Sequence, residues 1–199
     1  MSTGRMEAFS DGVIAILITV MVLELKVPHG TAWSDLGDEV PVLLSYVLSF
    51  VYLGIYWNNH HHMLQATERV DGLILWANLH LLFWLSLVPF ATAWLGENSF
   101  AETPSAAYGV VLLAAALAYY ALQTAIVREQ GPGSLLRRAV GRDRKGKSSP
   151  VLYALGIGLS FVDRWASMAV YVVVALMWLV PDRRVASVVA LTRAEERTG

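Results

Sequence analysis

RMEAFSDGVIAILITVMVLEL, residues 5–25, opens with an Arg, a Ser and an Asp and then runs apolar from Val13 to Leu23, broken only by Thr19. That is the pattern of a membrane helix entered through a polar doorway. On a 3.6-residue period Ile16, Val20 and Leu23 share one face, with Thr19 beside them, because positions three and four apart stack along a helix. The remaining turns carry Ile14, Leu17, Ile18, Met21 and Val22, so the helix is apolar all round. Periodicity alone leaves open which face meets lipid, protein or a pore.

Composition places the whole chain in a bilayer. Of 199 residues 56% are hydrophobic and 16% charged, with a mean hydropathy of +0.50, against about 25% charged in soluble domains. There is no cysteine, which excludes a disulfide framework, a thiolate nucleophile and a Cys metal site. No cleavable signal peptide is expected, because the first apolar segment carries Asp11 and its flank ELKVPHG lacks a small-x-small pattern. No phosphate-binding Gly loop, nucleophile elbow or paired carboxylates within a span occur, so the chain reads as a non-enzyme with no cofactor.

The pattern predicts an all-α integral membrane protein with spans over 6–27, 40–58, 72–95, 106–127, 150–162 and 165–180, followed by a polar tail, 181–199. The second span ends in the polar run Asn58-Asn59-His60-His61-His62, and the fourth in Gln123-Thr124. Pro150 to Val180 holds 31 residues interrupted by Asp163-Arg164. As one helix it would be ~46 Å long with a charged pair near its middle, too long for a ~30 Å core. Two short spans turning at Asp163-Arg164 fit better. Lys and Arg support six spans with both ends cytoplasmic. In that layout 13 of 15 basic residues lie inside: Arg5, Arg69, Arg128, Arg137, Arg138, Arg142, Arg144, Lys145, Lys147, Arg183, Arg184, Arg193 and Arg197. Only Lys26 and Arg164 lie outside.

Ser10 and Asp11 are either pore-mouth groups or partners in hydrogen bonds between helices, since ionisable residues within spans are usually paired. Arg5 lies six residues before Asp11, a poor spacing for a pair on one helix. Both are expected to find partners on other helices, with Trp76, Asn78 and His80 of the third span the candidates. Asn78 and His80 are two apart, so at most one faces the first helix squarely. Consecutive histidines on a helix point in three directions, whereas a ligand pair is normally spaced i, i+3 or i+4. His60 to His62 therefore read as an interfacial polar cluster and not a metal site. Glu24 and Lys26 mark the outer interface. The basic loop Arg137 to Lys147 suits anionic lipid and needs no nucleic acid.

Arg5-x-x-x-Phe9-Ser10-Asp11, followed by Gly12-Val13-x-Ala15-Ile16, resembles the RxxxFSD signature of the transmembrane protein 175 family of potassium channels, known from animal endolysosomes and from bacteria. Animal members carry two six-span repeats. A single-repeat chain is similar to the prokaryotic form, and the resemblance implies a homotetramer in the cell membrane with four copies of the first helix around the pore. The family has no TVGYG carbonyl filter, and none occurs here. The resemblance implies instead a pore narrowed by Ile16, Val20 and Leu23, with Thr19 at the hydroxyl position tied to cation preference. It implies a modestly selective potassium channel with a hydrophobic gate, permeant potassium as its ion, and Arg5, Phe9, Ser10 and Asp11 as a network fixing the first helix. The competing reading is a proton-coupled transporter or proton pathway through Asp11 and His80.

Overall fold

The computed structural model describes residues 2–131, 136–137 and 144–179. The expected tail, 181–199, and most of the basic loop lie outside them. The described residues form seven α-helices: α1 Thr3–Val22, α2 Val40–Gln65, α3 Gly72–Ser86, α4 Val88–Glu97, α5 Glu102–Gln130, α6 Arg144–Ser160 and α7 Arg164–Leu179. A short 3-10 turn, Trp33–Leu36, sits between α1 and α2. Among the described residues three helical runs are long and apolar enough to cross a membrane, Val40–Gln65, Gly72–Glu97 and Glu102–Gln130, and α7 is apolar but shorter.

The helix limits depart from the expected spans for identifiable reasons. α1 stops at Val22, and tight bonds such as Leu23 N–H to the Val20 carbonyl finish it. Beyond it Lys26 leaves the helical path to pair with Glu97 (2.8 Å), and Pro28 disfavours helical backbone at Val27. α2 does not end at Asn58 but continues through the three histidines to Gln65. The expected third span is two helices. Pro89 has no N–H for the Leu85 carbonyl, so the ladder breaks, and α4 restarts at Val88, with Leu87 alone between it and Ser86. α6 begins at Arg144, six residues before Pro150, and takes that proline into its interior. The turn before α7 runs from Phe161 to Asp163, and Arg164 is already the first residue of α7. An Asp163 carboxylate oxygen caps the helix by accepting from the N–H groups of Trp165 (2.8 Å) and Ala166 (3.4 Å).

Apart from α3 and α4, which run the same way, consecutive helices run up and down in one bundle. Thr3 Oγ1 donates to the Thr67 carbonyl (3.3 Å) at one end, while Lys26 meets Glu97 and Arg164 reaches the Ser99 carbonyl (3.4 Å) at the other. Small residues and shared hydroxyls set how closely the helices approach, as packing inside lipid requires. Tyr171 of α7 wedges against Gly109 of α5 and Gly156 of α6, and its hydroxyl donates to the Ser105 carbonyl (3.2 Å). Thr92 of α4 donates to Ser49 of α2 (2.6 Å), which in turn shares a hydrogen bond with Tyr108 of α5 (2.9 Å). At Gly96 a Cβ would lie 2.7 Å from the Cα of Val42 and 2.5 Å from Ser45 Oγ. Gly96→Ala is therefore expected to push α4 off α2 and cost ~1–3 kcal/mol, read as a lower unfolding midpoint in detergent. An unchanged midpoint would mean that the two helices slide apart freely.

A candidate pore helix held by a polar clasp

α1 has two faces. Met6, Ser10, Ile14, Leu17 and Met21 are buried against the bundle. In the opposite direction Phe9, Gly12, Ile16, Thr19, Val20 and Leu23 are exposed, Ile16 at 60% and Leu23 at 78%. A Cβ added at Gly12 would touch nothing within 4 Å. The protomer thus leaves one apolar stripe of α1 without a partner along its length.

The buried face is tied down by a chain of hydrogen bonds whose direction is fixed from one end. Ser10 Oγ donates to the Met6 carbonyl (2.8 Å), so its lone pairs must accept, and Asn78 Nδ2 of α3 donates to it (2.9 Å). The other side of that amide, Asn78 Oδ1, then accepts from His60 Nε2 of α2 (2.7 Å). His60 is 0% exposed, and its Nδ1 has no hydrogen-bond partner among the described residues. One Ser, one Asn and one His thereby lock three helices at a single point.

A second clasp lies one turn away on the rim. Glu7 and Asp11, four apart on α1, face Trp57 and His61, four apart on α2. Trp57 Nε1 donates to an Asp11 carboxylate oxygen (3.1 Å), His61 Nδ1 meets Glu7 Oε1 (2.8 Å), and the two rings stack 6.0 Å apart. Gln65 Nε2 lies 2.8 Å from His61 Nε2, so the amide donates there and Nδ1 carries the proton toward Glu7. Asp11→Ala removes the acceptor of a rim-exposed indole and is expected to cost about 1 kcal/mol. The readout is the yield of intact oligomer on size exclusion, and an unchanged yield would remove Asp11 from the clasp.

Several expected partners are corrected by this geometry. Asn78 reaches α1, but Trp76 and His80 do not. Trp76 is 74% exposed, and His80 accepts instead from Trp84 Nε1 (2.9 Å) one turn along α3. A helix that aims position 78 at a neighbour turns positions 76 and 80 about 200° away, onto its outer side. Asp11 and His80 are accordingly not brought together. Arg5 and Phe9 are exposed, and Arg5 has no hydrogen-bond or ion-pair partner among the described residues. His60, His61 and Trp57 were not expected as partners of α1, nor Glu7 as one of its contact residues. The 3.6-residue spacing of 57 and 61 held the signal, hidden by the assumption that α2 had already ended. Among the described residues no three His, Asp or Glu side chains converge to hold a metal ion.

At the opposite end of α1 the Glu97 carboxylate holds the Lys26 ammonium above its ordinary range, with Glu39 and Glu24 adding to the effect. Thr19 Oγ1 donates to the Ile16 carbonyl (2.9 Å). Its proton is thereby turned into the helix, and its lone pairs are left on the exposed face.

The motif residues and the helices they join fall within a known pattern. A family model described as the endosomal/lysosomal potassium channel TMEM175 matches residues 5–89, which covers α1 to the proline at the head of α4. A potassium channel of Chryseobacterium sp. (strain P1-3) is 52% identical over 185 residues, 93% of this chain and 96% of that protein. The chain belongs to the TMEM175 family. A potassium channel of Streptomyces collinus is 35% identical over 191 residues, covering 88% of this chain and 91% of its own length. Among solved structures, the crystal structure of a lysosomal potassium-selective channel TMEM175 homologue from Chamaesiphon minutus matches with a TM-score of 0.79 at 30% identity. It covers 90% of this chain and 97% of that one. TMEM175 proteins are ion channels and not enzymes, and the matched structure extends the likeness beyond the motif to 90% of the chain.

Proposed function

We propose that this protein is a potassium channel of the prokaryotic cell membrane. Four chains would surround a pore lined by the Ile16, Thr19, Val20 and Leu23 face of α1. The observation that carries the reading is the two-sidedness of that helix. Its inner face is fixed by Ser10, Asn78 and His60, while its outer apolar stripe touches nothing in the protomer. Relatives named as potassium channels over nearly the full length support the permeant ion.

In this arrangement the α-helix ends at Val22, so Ile16 and Val20 form rings on regular helix and Leu23 one at its cap. Rings of apolar side chains close a pore sterically or by dewetting. A cation passing Ile16 sheds water with little to replace it, and the outward lone pairs of Thr19 are the nearest protein oxygens. Potassium holds its hydration shell less tightly than sodium, so the barrier favours potassium modestly. Six spans with both termini in the cytoplasm go with this reading, α3 and α4 forming one bent span. The ends of the bundle fit it. Arg5, Arg69, Arg128, Lys145 and Lys147 cluster at one end, Glu24, Glu39, Glu97 and Glu102 at the other.

The test is ion flux from purified protein in liposomes, first under a potassium gradient and then a sodium gradient, with native mass in units of the 21.9 kDa chain. Potassium flux exceeding sodium flux from a four-chain species is the expected result. Slow, saturable flux that depends on a proton gradient would replace the channel with a transporter.

A further inference from the structure

Away from α1, the helices α2, α5, α6 and α7 enclose a half-open pocket with a cavity volume of about 40 Å³. Six rings line it, Tyr52, Tyr56, Tyr119, Tyr120, Tyr153 and Trp178, and no lining residue carries a charge. Ala116 and Gly146 are the smallest of its lining residues. Most of its polar groups are already committed. Tyr52 donates to the Tyr171 carbonyl (2.6 Å), Tyr119 to the Asn59 carbonyl (3.2 Å) and Trp178 to Ser149 (2.8 Å), while Ser149 itself donates to the Lys145 carbonyl (2.8 Å).

Besides the exposed Tyr120 hydroxyl, three groups are left over. Gln123 is only 9% exposed, and its side-chain amide has no hydrogen-bond partner among the described residues. The Tyr56 hydroxyl is likewise uncommitted, and Asn59 spends its amide hydrogen on the Ile55 carbonyl (2.8 Å), leaving Oδ1 open. A glutamine at membrane depth whose amide opens into a ring-lined hollow needs an occupant, since an unsatisfied amide in such surroundings is costly.

The chemistry of the walls selects the occupant. An anion meets no positive side chain there and is repelled by the electron-rich ring faces. A bare alkali ion finds too few oxygens to replace its water. An organic ammonium fits, because aromatic walls attract it through their quadrupoles and three free oxygens can take its N–H groups. We propose that this pocket binds an organic ammonium group, with Gln123 Oε1, Asn59 Oδ1 and the Tyr56 hydroxyl as its polar ligands and the rings as its walls. The pocket runs from the middle of α2 and α5 toward the start of α6 and the last turn of α7, and its mouth is open. The ammonium could thus come from an aminophospholipid or from a free amine.

Equilibrium dialysis of the purified protein in detergent tests this with 2-phenylethylammonium and its uncharged counterpart 2-phenylethanol. The expected result is saturable binding of one ammonium per chain, at least about tenfold tighter than the alcohol. Gln123→Leu should weaken it about tenfold and Tyr56→Phe, which removes only a hydroxyl, several-fold, both with unchanged size-exclusion profiles. Equal binding of the alcohol would make the pocket merely apolar and overturn the proposal. So would ammonium binding that survives both substitutions, which would place it elsewhere, such as the channel. Repeating the titration in phosphatidylethanolamine and phosphatidylglycerol nanodiscs separates the sources. Weaker apparent affinity in the first identifies a lipid headgroup as the occupant, and equal affinity identifies a free amine.

Discussion

Potassium flux through Ile16→Asn is expected to rise at least about tenfold over the wild type, and sodium flux to rise by more. The argument starts from the position of the side chain. Ile16 is 60% exposed on the unpartnered stripe of α1, one turn beyond Gly12 and one before Val20. In a four-chain pore its branched, apolar end would form the narrowest water-repelling ring on regular helix. Asn is slightly smaller and hydrogen-bonds water, so the same ring would stay wet and the ion would keep more of its shell. A tenfold rise needs the barrier to fall by only ~1.4 kcal/mol, a small part of what dehydrating a monovalent cation costs. Since sodium is the more strongly hydrated, relieving dehydration helps it more, and selectivity should drop as flux rises. The substitution leaves the inner face untouched, so oligomer yield should not change. Unchanged flux of both ions in well-assembled protein would remove Ile16 from the gate.

Which of these features could be read from the chain depends on whether the cue was local. The period of α1 showed that Ile16, Val20 and Leu23 share a face, but not that this face is the unpartnered one, because the helix is apolar all round. A turn at Asp163-Arg164 was expected because a charged pair in an apolar run is costly in a span, but the capping role of Asp163 was not read from the sequence. The end of α2 was not legible either. Asn58 to His62 look like a segment meeting water, and a polar residue satisfied by a neighbouring helix has the same letter as one satisfied by solvent. Only tertiary contact shows that His60 is buried against Asn78 while His61 is turned to Glu7. The same ambiguity misassigned Trp76 and His80. Spacing established that only one of Asn78 and His80 could face α1, but not which. The break between α3 and α4 had a local cue in Pro89 that hydropathy averaging hides, because both halves are equally apolar.

Asn78→Leu is expected to be the most damaging change on the inner face, lowering stability by ~2–4 kcal/mol. Leu keeps the size of the side chain but removes both ends of a relay. His60, fully buried, loses the acceptor of its Nε2–H, and its Nδ1 has no partner already, so both ring nitrogens become orphans at membrane depth. Ser10 suffers less, because its hydroxyl proton remains bonded to the Met6 carbonyl. That difference makes a sharper forecast for the double variant. With His60→Leu added, the orphaned ring disappears, the serine is still satisfied, and apolar surface replaces a polar junction. Replacing both partners of a buried hydrogen bond is far less costly than removing one. The temperature at which half the protein is lost from the assembled peak should therefore fall in Asn78→Leu and recover in large part in the double variant. His60→Leu alone should lie between, since it strands only Asn78 Oδ1. A double variant worse than the sum of the two single ones would show that the His–Asn–Ser chain holds α1 by shape and not by its hydrogen bonds.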